Sequence, residues 1–426
     1  MRQPVLVALI SMATAVALRP ALAAALPSPL TLETAIAAAR DRNPDIRAAD
    51  ARYLAMRERP IQEGTLPDPT LSVRYHNEDW GLTFGESEFT FFEVTAEQEI
   101  PFPGKLGLRS RVAEREAERE RAMRDMAVLM ALANVARSYA DLAVAERSEE
   151  ILRENLRLLT LMVEEAAVRY GVGSAEQQDV LRATLERGAI QERLTMLARE
   201  RRAAAAALAA LLDLDEATPL PATTPLPEPP LLEPLESLSG KLTGGSPVLR
   251  AAVEEQLRAQ EALRLARREY FPDFALMGAY MNKEDLLPEW ELGVRVKVPL
   301  YFWRRQRAGV AEARLMERAA HHARRNTQVS LEARLADFHA MAESARRLVQ
   351  LYDETLIPQA ALTLESARAS YGVGRVDFLT TLTAFSALLE YRLRRAEEAG
   401  NLWRAIAEIG PVVGQTPLGE PLGSTP

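Results

Sequence analysis

The chain has 426 residues, no cysteine and a formal net charge of −8, with 48% hydrophobic and 26% charged residues. That balance fits a folded protein with room for two domains. It excludes disulfides, thiol chemistry and Cys-based metal centres, and it argues against a nucleic-acid partner, which would need clustered excess Lys and Arg. Aromatic residues are only 6% while alanine and arginine abound, which favours long helices packed through small side chains.

Residues 1–23 read as a signal peptide: Arg2 gives a basic start, Val5 to Leu18 an apolar run, and Ala21-Leu22-Ala23 a small-residue cleavage site. The apolar run is shorter than the ~20 residues of a spanning helix. Every later apolar stretch is interrupted by charge.

From there the chain is written twice. Residues 24–217 form a first repeat and 241–410 a second: Asn43-Pro44 matches Ser246-Pro247, Leu66-Pro67-Asp68 matches Phe271-Pro272-Asp273, Ile100-Pro101-Phe102 matches Val298-Pro299-Leu300, and YGVG occurs at Tyr170–Gly173 and Tyr371–Gly374. The offsets stay between 198 and 205, so the order of parts is duplicated. The first repeat predicts a helix over Glu33–Gln62, two strands, a helix of some 65 residues over Lys105–Arg169, roughly 98 Å long, and a return helix over Ala175–Leu212. Pro101, Pro103 and Gly104 are the strand-to-helix turn, where prolines end the strand and glycine lets the chain reverse. The second repeat predicts Val248–Tyr270, two strands, a long helix over Arg304–Ser370 kinked at Pro358, and Val376–Ile409. Between them, prolines make 218–240 an extended linker, and residues 411–426 are expected to be a flexible tail. At the far end of the helices, Gly171, Gly173, Gly372 and Gly374 are expected to free the backbone for reversal.

The strands alternate. Leu71, Val73 and Tyr75 oppose Ser72, Arg74 and His76; Phe92, Val94, Ala96 and Ile100 oppose Glu93, Thr95, Glu97 and Glu99; Trp290, Leu292, Val294, Val296 and Val298 oppose Glu291, Arg295 and Lys297. FALMGAYM is a weaker fourth case. Such strands suit either a small soluble sheet resting on a helix or part of an outer-membrane barrel. Four strands cannot close a barrel, so the second reading requires several chains.

No chemistry-bearing constellation emerges. His76, His321, His322 and His339 lack metal-ligand spacing, and there is no phosphate-binding loop or nucleophile elbow. The expectation is a protein that is not an enzyme, with no catalytic, cofactor or metal site.

The duplicated order of helix, two strands, long helix, tight turn and return helix resembles the outer-membrane efflux factor family, the TolC-like channels. The segment QEIPFPGKLGLRSRVAEREAE, Gln98–Glu118, resembles the branch serving heavy-metal pumps of the cobalt-zinc-cadmium and copper-silver type. The resemblance implies a mainly α fold with a small β part. Duplicated long-helix hairpins would form an α-barrel tunnel in the periplasm, and four antiparallel strands per chain would join a trimeric, 12-stranded barrel in the outer membrane. It implies a homotrimer embedded in outer-membrane lipid, a periplasmic adaptor, an inner-membrane pump of the resistance-nodulation-division (RND) type, and passive conduction of heavy-metal cations. A channel for drugs or secreted proteins, or a non-conducting periplasmic coiled-coil scaffold, are the alternatives. The adaptor would dock at Tyr170, Gly171, Gly173, Tyr371, Gly372 and Gly374. Where family members carry an acidic pair this chain has Thr380 and Thr383, leaving Asp377, Asp179 and Arg182 as gate residues. Asp377 also suits a helix cap.

Overall fold

The computed structural model describes residues 26–78, 80, 89–215, 220–283 and 287–422. The signal-peptide residues 1–23 and the last four residues of the tail lie outside them.

The first half runs α1 (Leu32–Arg42), α2 (Pro44–Gly64), β1 (Thr70–His76), β2 (Phe91–Ile100), α3 (Lys105–Gly171) and α4 (Gln177–Leu211). The second repeats the order with α5 (Leu235–Gly245), α6 (Pro247–Arg268), β3 (Asp273–Asn282), β4 (Glu289–Lys297), α7 (Arg305–Leu351), a π-helical turn (Tyr352–Leu356), α8 (Ile357–Gly372) and α9 (Phe378–Val413). α3 has 67 residues, about 100 Å at 1.5 Å per residue. Along it pack α1, α2 and α4 of its own half and α6 and α9 of the other.

Three expectations need correction. The helix expected over Glu33–Gln62 is two helices, because Pro44 has no N–H to continue α1 and Asn43 caps the new start. Its side-chain oxygen accepts from Asp45 N at 2.9 Å and Ile46 N at 3.3 Å, while its amide nitrogen donates to the Leu211 carbonyl at 2.9 Å. Pro247 likewise separates α5 from α6, here without a side-chain cap from Ser246, and the linker expected to run to residue 240 gives way to helix at Leu235. The tail expected to be flexible from Pro411 instead continues α9 to Val413, with Pro411, Val412 and Val413 buried, and Thr416 is buried beyond it. Pro358 acts as expected. The helix widens into the π turn just before it, where the proline removes an intrahelical bond.

One core gathers the N-terminal residues Leu30 and Leu32, the middle of α3 and Trp403 of α9. The Pro-rich segment is strapped onto it: Leu30 donates to the Ala222 carbonyl and accepts from Thr224 N, the Tyr139 hydroxyl sits 3.0 Å from the carbonyls of Leu30 and Thr224, and the Trp403 indole donates to the Pro227 carbonyl at 3.1 Å. A stretch of α3 is apolar enough to cross a membrane, but two thirds of it is buried in this core, so packing accounts for it. A second core fuses the far ends of α3, α4, α8 and α9.

The strands form one antiparallel sheet in the order β1-β2-β3-β4. Its centre, β2 against β3, joins the two halves.

Candidate functional site

The features that bear on function sit at the two ends of the helices. At the sheet end the register sorts the side chains by face. Val73 opposes Val94, Val94 opposes Tyr280, and Tyr280 opposes Trp290; beside that row Leu71, Ala96, Gly278 and Leu292 form the next. This face carries Leu71, Val73, Phe92, Val94, Leu276, Tyr280, Trp290, Leu292, Val294 and Val296, all substantially exposed. The opposite face holds Arg74, Glu93, Glu97, Glu291 and Arg295, with Arg74 paired to Glu93 at 3.5 Å and Arg295 joined to Glu97. Among the described residues no helix covers the apolar face, so the expectation of a soluble sheet resting on one is set aside. Apolar surface of that extent, on strands of 7–10 residues, is what a bilayer or another chain buries.

The passage from strand to helix is held by a cluster of hydrogen bonds and ion pairs around one buried lysine. β2 ends at Ile100, Pro101 follows buried, and Gly104 takes φ 93°, where an L side chain would be strained. Next comes Lys105, only 1% exposed. Its ammonium donates to Asp273 at 2.8 Å, to the Phe271 carbonyl at 3.1 Å and to Glu269 at 3.3 Å. Asp273 also accepts from Phe102 N at 2.8 Å, and the rings of Phe102 and Phe271 stack 4.6 Å apart. All three donor positions of the lysine are used, which is what its burial requires. Sequence reading stopped at Gly104 and missed Lys105. The signal was available, since Phe271-Pro272-Asp273 already stood out as a repeated element.

At the tip end the two YGVG segments close their helices in the same way. Gly173 N donates to the Tyr170 carbonyl and Gly374 N to that of Tyr371, each at 3.0 Å, with φ 75° and 72°. Gly171 and Gly372 are ordinary last residues of α3 and α8 without positive φ. The conformational freedom expected of all four is therefore used at two. Arg169 ties the turns together by donating to the carbonyls of Tyr371 at 3.0 Å and Gly372 at 2.7 Å, with its guanidinium 4.7 Å from the Tyr371 ring.

The acidic residues at the tip share one electrostatic neighbourhood. Asp377 is the N-cap of α9, accepting from Thr380 N at 3.0 Å and from the Thr380 hydroxyl. These bonds, with Arg182 nearby, hold its carboxyl below the usual range. Asp179, in the first turn of α4, is pushed up by burial, and the charges of Glu176 and Asp377 add to the shift while Arg182 opposes it. Asp179, Arg182 and Asp377 thus feel one another, although no ion pair closes between them. Thr383 stands apart, exposed, with its hydroxyl donating to the Leu379 carbonyl at 2.8 Å. Among the described residues no group of three or more His, Asp or Glu is placed to hold a metal ion.

A chain whose helical body ends in an uncovered, two-faced sheet is a membrane-embedded building block. The model of the outer membrane efflux protein family matches residues 35–213 and 238–415. The chain belongs to that family and is an outer-membrane protein. It is 24% identical over 400 residues to the cobalt-zinc-cadmium resistance protein CzcC of Cupriavidus metallidurans, covering 91% of this chain and 90% of that one. Among solved structures, CusC superposes with a TM-score of 0.76 at 18% identity over 90% of this chain and 92% of the other. The outer membrane protein VceC of Vibrio cholerae gives 0.75 at 19% identity over 90% and 96%.

Proposed function

We propose that this chain is the outer-membrane channel of a tripartite RND-type efflux system. Three copies would join edge to edge into a 12-stranded barrel, with their helices enclosing a tunnel that conducts passively. The observation that carries this reading is the sheet: the outer edges of β1 and β4 have no partner strand among the described residues, one face is apolar and uncovered, and four strands are too few to close alone. Heavy-metal cations are the favoured substrate, supported by the end-to-end similarity to a cobalt-zinc-cadmium resistance protein. The tunnel needs no metal ligands of its own for this, because the pump selects the cargo. The tip turns, with Val172 and Val373 exposed by 75% and 70%, are the docking face for a periplasmic adaptor. Asp179, Arg182 and Asp377, which influence one another's charge, are the gate residues of this reading.

The test is single-channel conductance of detergent-extracted protein in a planar bilayer, with its native mass measured in parallel. Trimer-sized particles giving discrete steps are expected. A non-conducting monomer that stays soluble without detergent would leave only the periplasmic scaffold. Deleting the gene should lower resistance to divalent metals; an effect on drugs alone would reassign the substrate.

A further inference from the structure

The chain contains two versions of one joint, of which only the first is closed. In the closed version the end of β2 and start of α3 meet the end of α6 and start of β3, through Lys105 on Asp273 and Glu269, and Phe102 on Phe271. The duplication supplies the same parts again: the end of β4 and start of α7 on one side, the end of α2 and start of β1 on the other. Within one chain these cannot meet, because β1 and β4 are opposite edges of the sheet.

The unmatched parts follow in the same order, with two more residues between the proline after the strand and the helix start in the second half, Pro299 to Arg305 against Pro101 to Lys105. Arg305 opens α7 as Lys105 opens α3, and the first helical bond in each case is accepted by the residue before, Arg304 and Gly104. Leu66-Pro67-Asp68 stands where Phe271-Pro272-Asp273 stands in the other half. Asp68 and Arg305 are both exposed. Among the described residues neither has an ion pair or a side-chain hydrogen bond. Their apolar neighbours are open too, with Leu66 44%, Leu300 66% and Phe302 51% exposed where Phe102 and Phe271 stack. Behind them α6 packs against both α3 and α7, whereas α2 packs chiefly against α3. The flanks of α2 and α7 therefore carry Leu54, Ile61, Leu315 and Met316 in the open.

Strand register gives an independent check. Transferring the β2–β3 pairing onto β4 and the β1 of a second copy sets Val296 opposite Leu71, Val294 opposite Val73 and Leu292 opposite Tyr75. All six lie on the apolar face. A slip of one residue would bring Ser72 and Arg74 onto it.

We propose that Arg305 of one copy forms with Asp68 of the next the ion pair that Lys105 forms with Asp273 inside the chain. The joint between subunits then repeats the joint between halves. This rests on the channel reading above, and the partner it requires is a second copy of this chain.

The absence of cysteine makes the test direct. Asp68→Cys and Arg305→Cys are combined, and the extracted protein is treated with a short bismaleimide, since a lysine-length contact separates the backbones beyond the ~7 Å reach of a disulfide. A ladder of covalent dimer and trimer is expected from the double variant and is absent from either single variant. A charge exchange gives a second reading that does not depend on reagent access: Asp68→Arg and Arg305→Asp should each lower the trimer fraction at least several-fold, and the two together restore it. If unmodified protein runs as a trimer but neither ladder nor restoration appears, the proposed pair is wrong while the channel reading stands. If unmodified protein is monomeric, both fall.

Discussion

The two YGVG turns have the same backbone and opposite side-chain environments. Tyr170 is 48% exposed and Tyr371 7%. The difference lies a few residues further on, where Phe378 meets the Tyr371 ring edge-on at 5.5 Å and the first half has Gln177 at the matching position. Arg169 completes the cage around Tyr371, and its counterpart in the second half is Ser370, which cannot reach. Glycine at the fourth position fixes the turn in both copies. Whether the tyrosine becomes core or surface is decided by what the next helix brings. The joints at the other end differ in the same way, one saturated by Lys105 and one left open at Arg305. Duplication conserved the geometry and divided the contacts between those made inside the chain and those left facing outward.

The largest effect should come from the saturated joint. Lys105→Met leaves the Phe271 carbonyl without its donor and Asp273 with the Phe102 N–H alone. Removing one member of a buried pair costs about 3–5 kcal/mol; Glu269 is 44% exposed and recovers water, so about 2–3 kcal/mol is expected, read as a lowered thermal midpoint in detergent. Arg305→Met in a chain held monomeric should leave that midpoint unchanged. Equal losses from both would erase the distinction between the joints.

Next come the glycines. Gly374→Val or Gly173→Val forces an L side chain to positive φ at about 1–2 kcal/mol, without any clash, because nothing lies within 4 Å of the new Cβ. Gly372→Ala or Gly171→Ala, two positions earlier and helical, should gain up to about 1 kcal/mol. Hydrogen exchange across each turn separates the cases, and a loss at Gly372 would show that its lack of a side chain serves something other than the turn.

The sequence made the duplicated plan legible because the repeat preserves its breaks: Pro after Asn43 and Ser246, YGVG twice, and strands alternating by twos. Long helices were readable from apolar spacing over many turns. The break at Pro44 was seen as a repeat marker without being read as a helix start, whereas the second-half helix was expected from Val248, one residue after the Pro247 that opens α6; a proline is well suited to a first helical position. The end of α9 was hidden because Pro-Val-Val-Gly resembles a tail, and only burial against α5 makes it helix. Lys105 could not be assigned a role from local pattern, since its partners lie more than 160 residues away. Asp377 was legible as a cap because capping is local. A gate is a property of several chains, and one sequence does not specify how they meet.

Smaller still is the tyrosine hydroxyl. That of Tyr371 is buried without a hydrogen-bond partner, and burial pushes its pKa up. Tyr371→Phe should therefore be neutral or stabilising by up to about 1 kcal/mol, and Tyr170→Phe should change nothing. A clear loss at Tyr371 would mean that its hydroxyl is bonded in the assembled protein.

The finest distinction is in pH. Burial and the charges of Glu176 and Asp377 raise Asp179 above the ordinary aspartate value, so the folded tip takes up this proton before the unfolded chain does. On acidification through that raised value the tip gains stability, and the gain is complete at the ordinary value. Asp377 behaves oppositely, held low by Thr380: its contribution is present above the ordinary value and is lost only as pH falls through its depressed one. Between neutrality and the ordinary aspartate value, Asp179 therefore acts alone. Hydrogen exchange over residues 170–180 and 371–382, corrected for intrinsic rates, should slow as pH is lowered in that window, and Asp179→Asn should give the slow value throughout. If exchange accelerates instead, protonation of Asp179 does not relieve the cost of burying its charge beside Glu176 and Asp377, and the raised value is wrong.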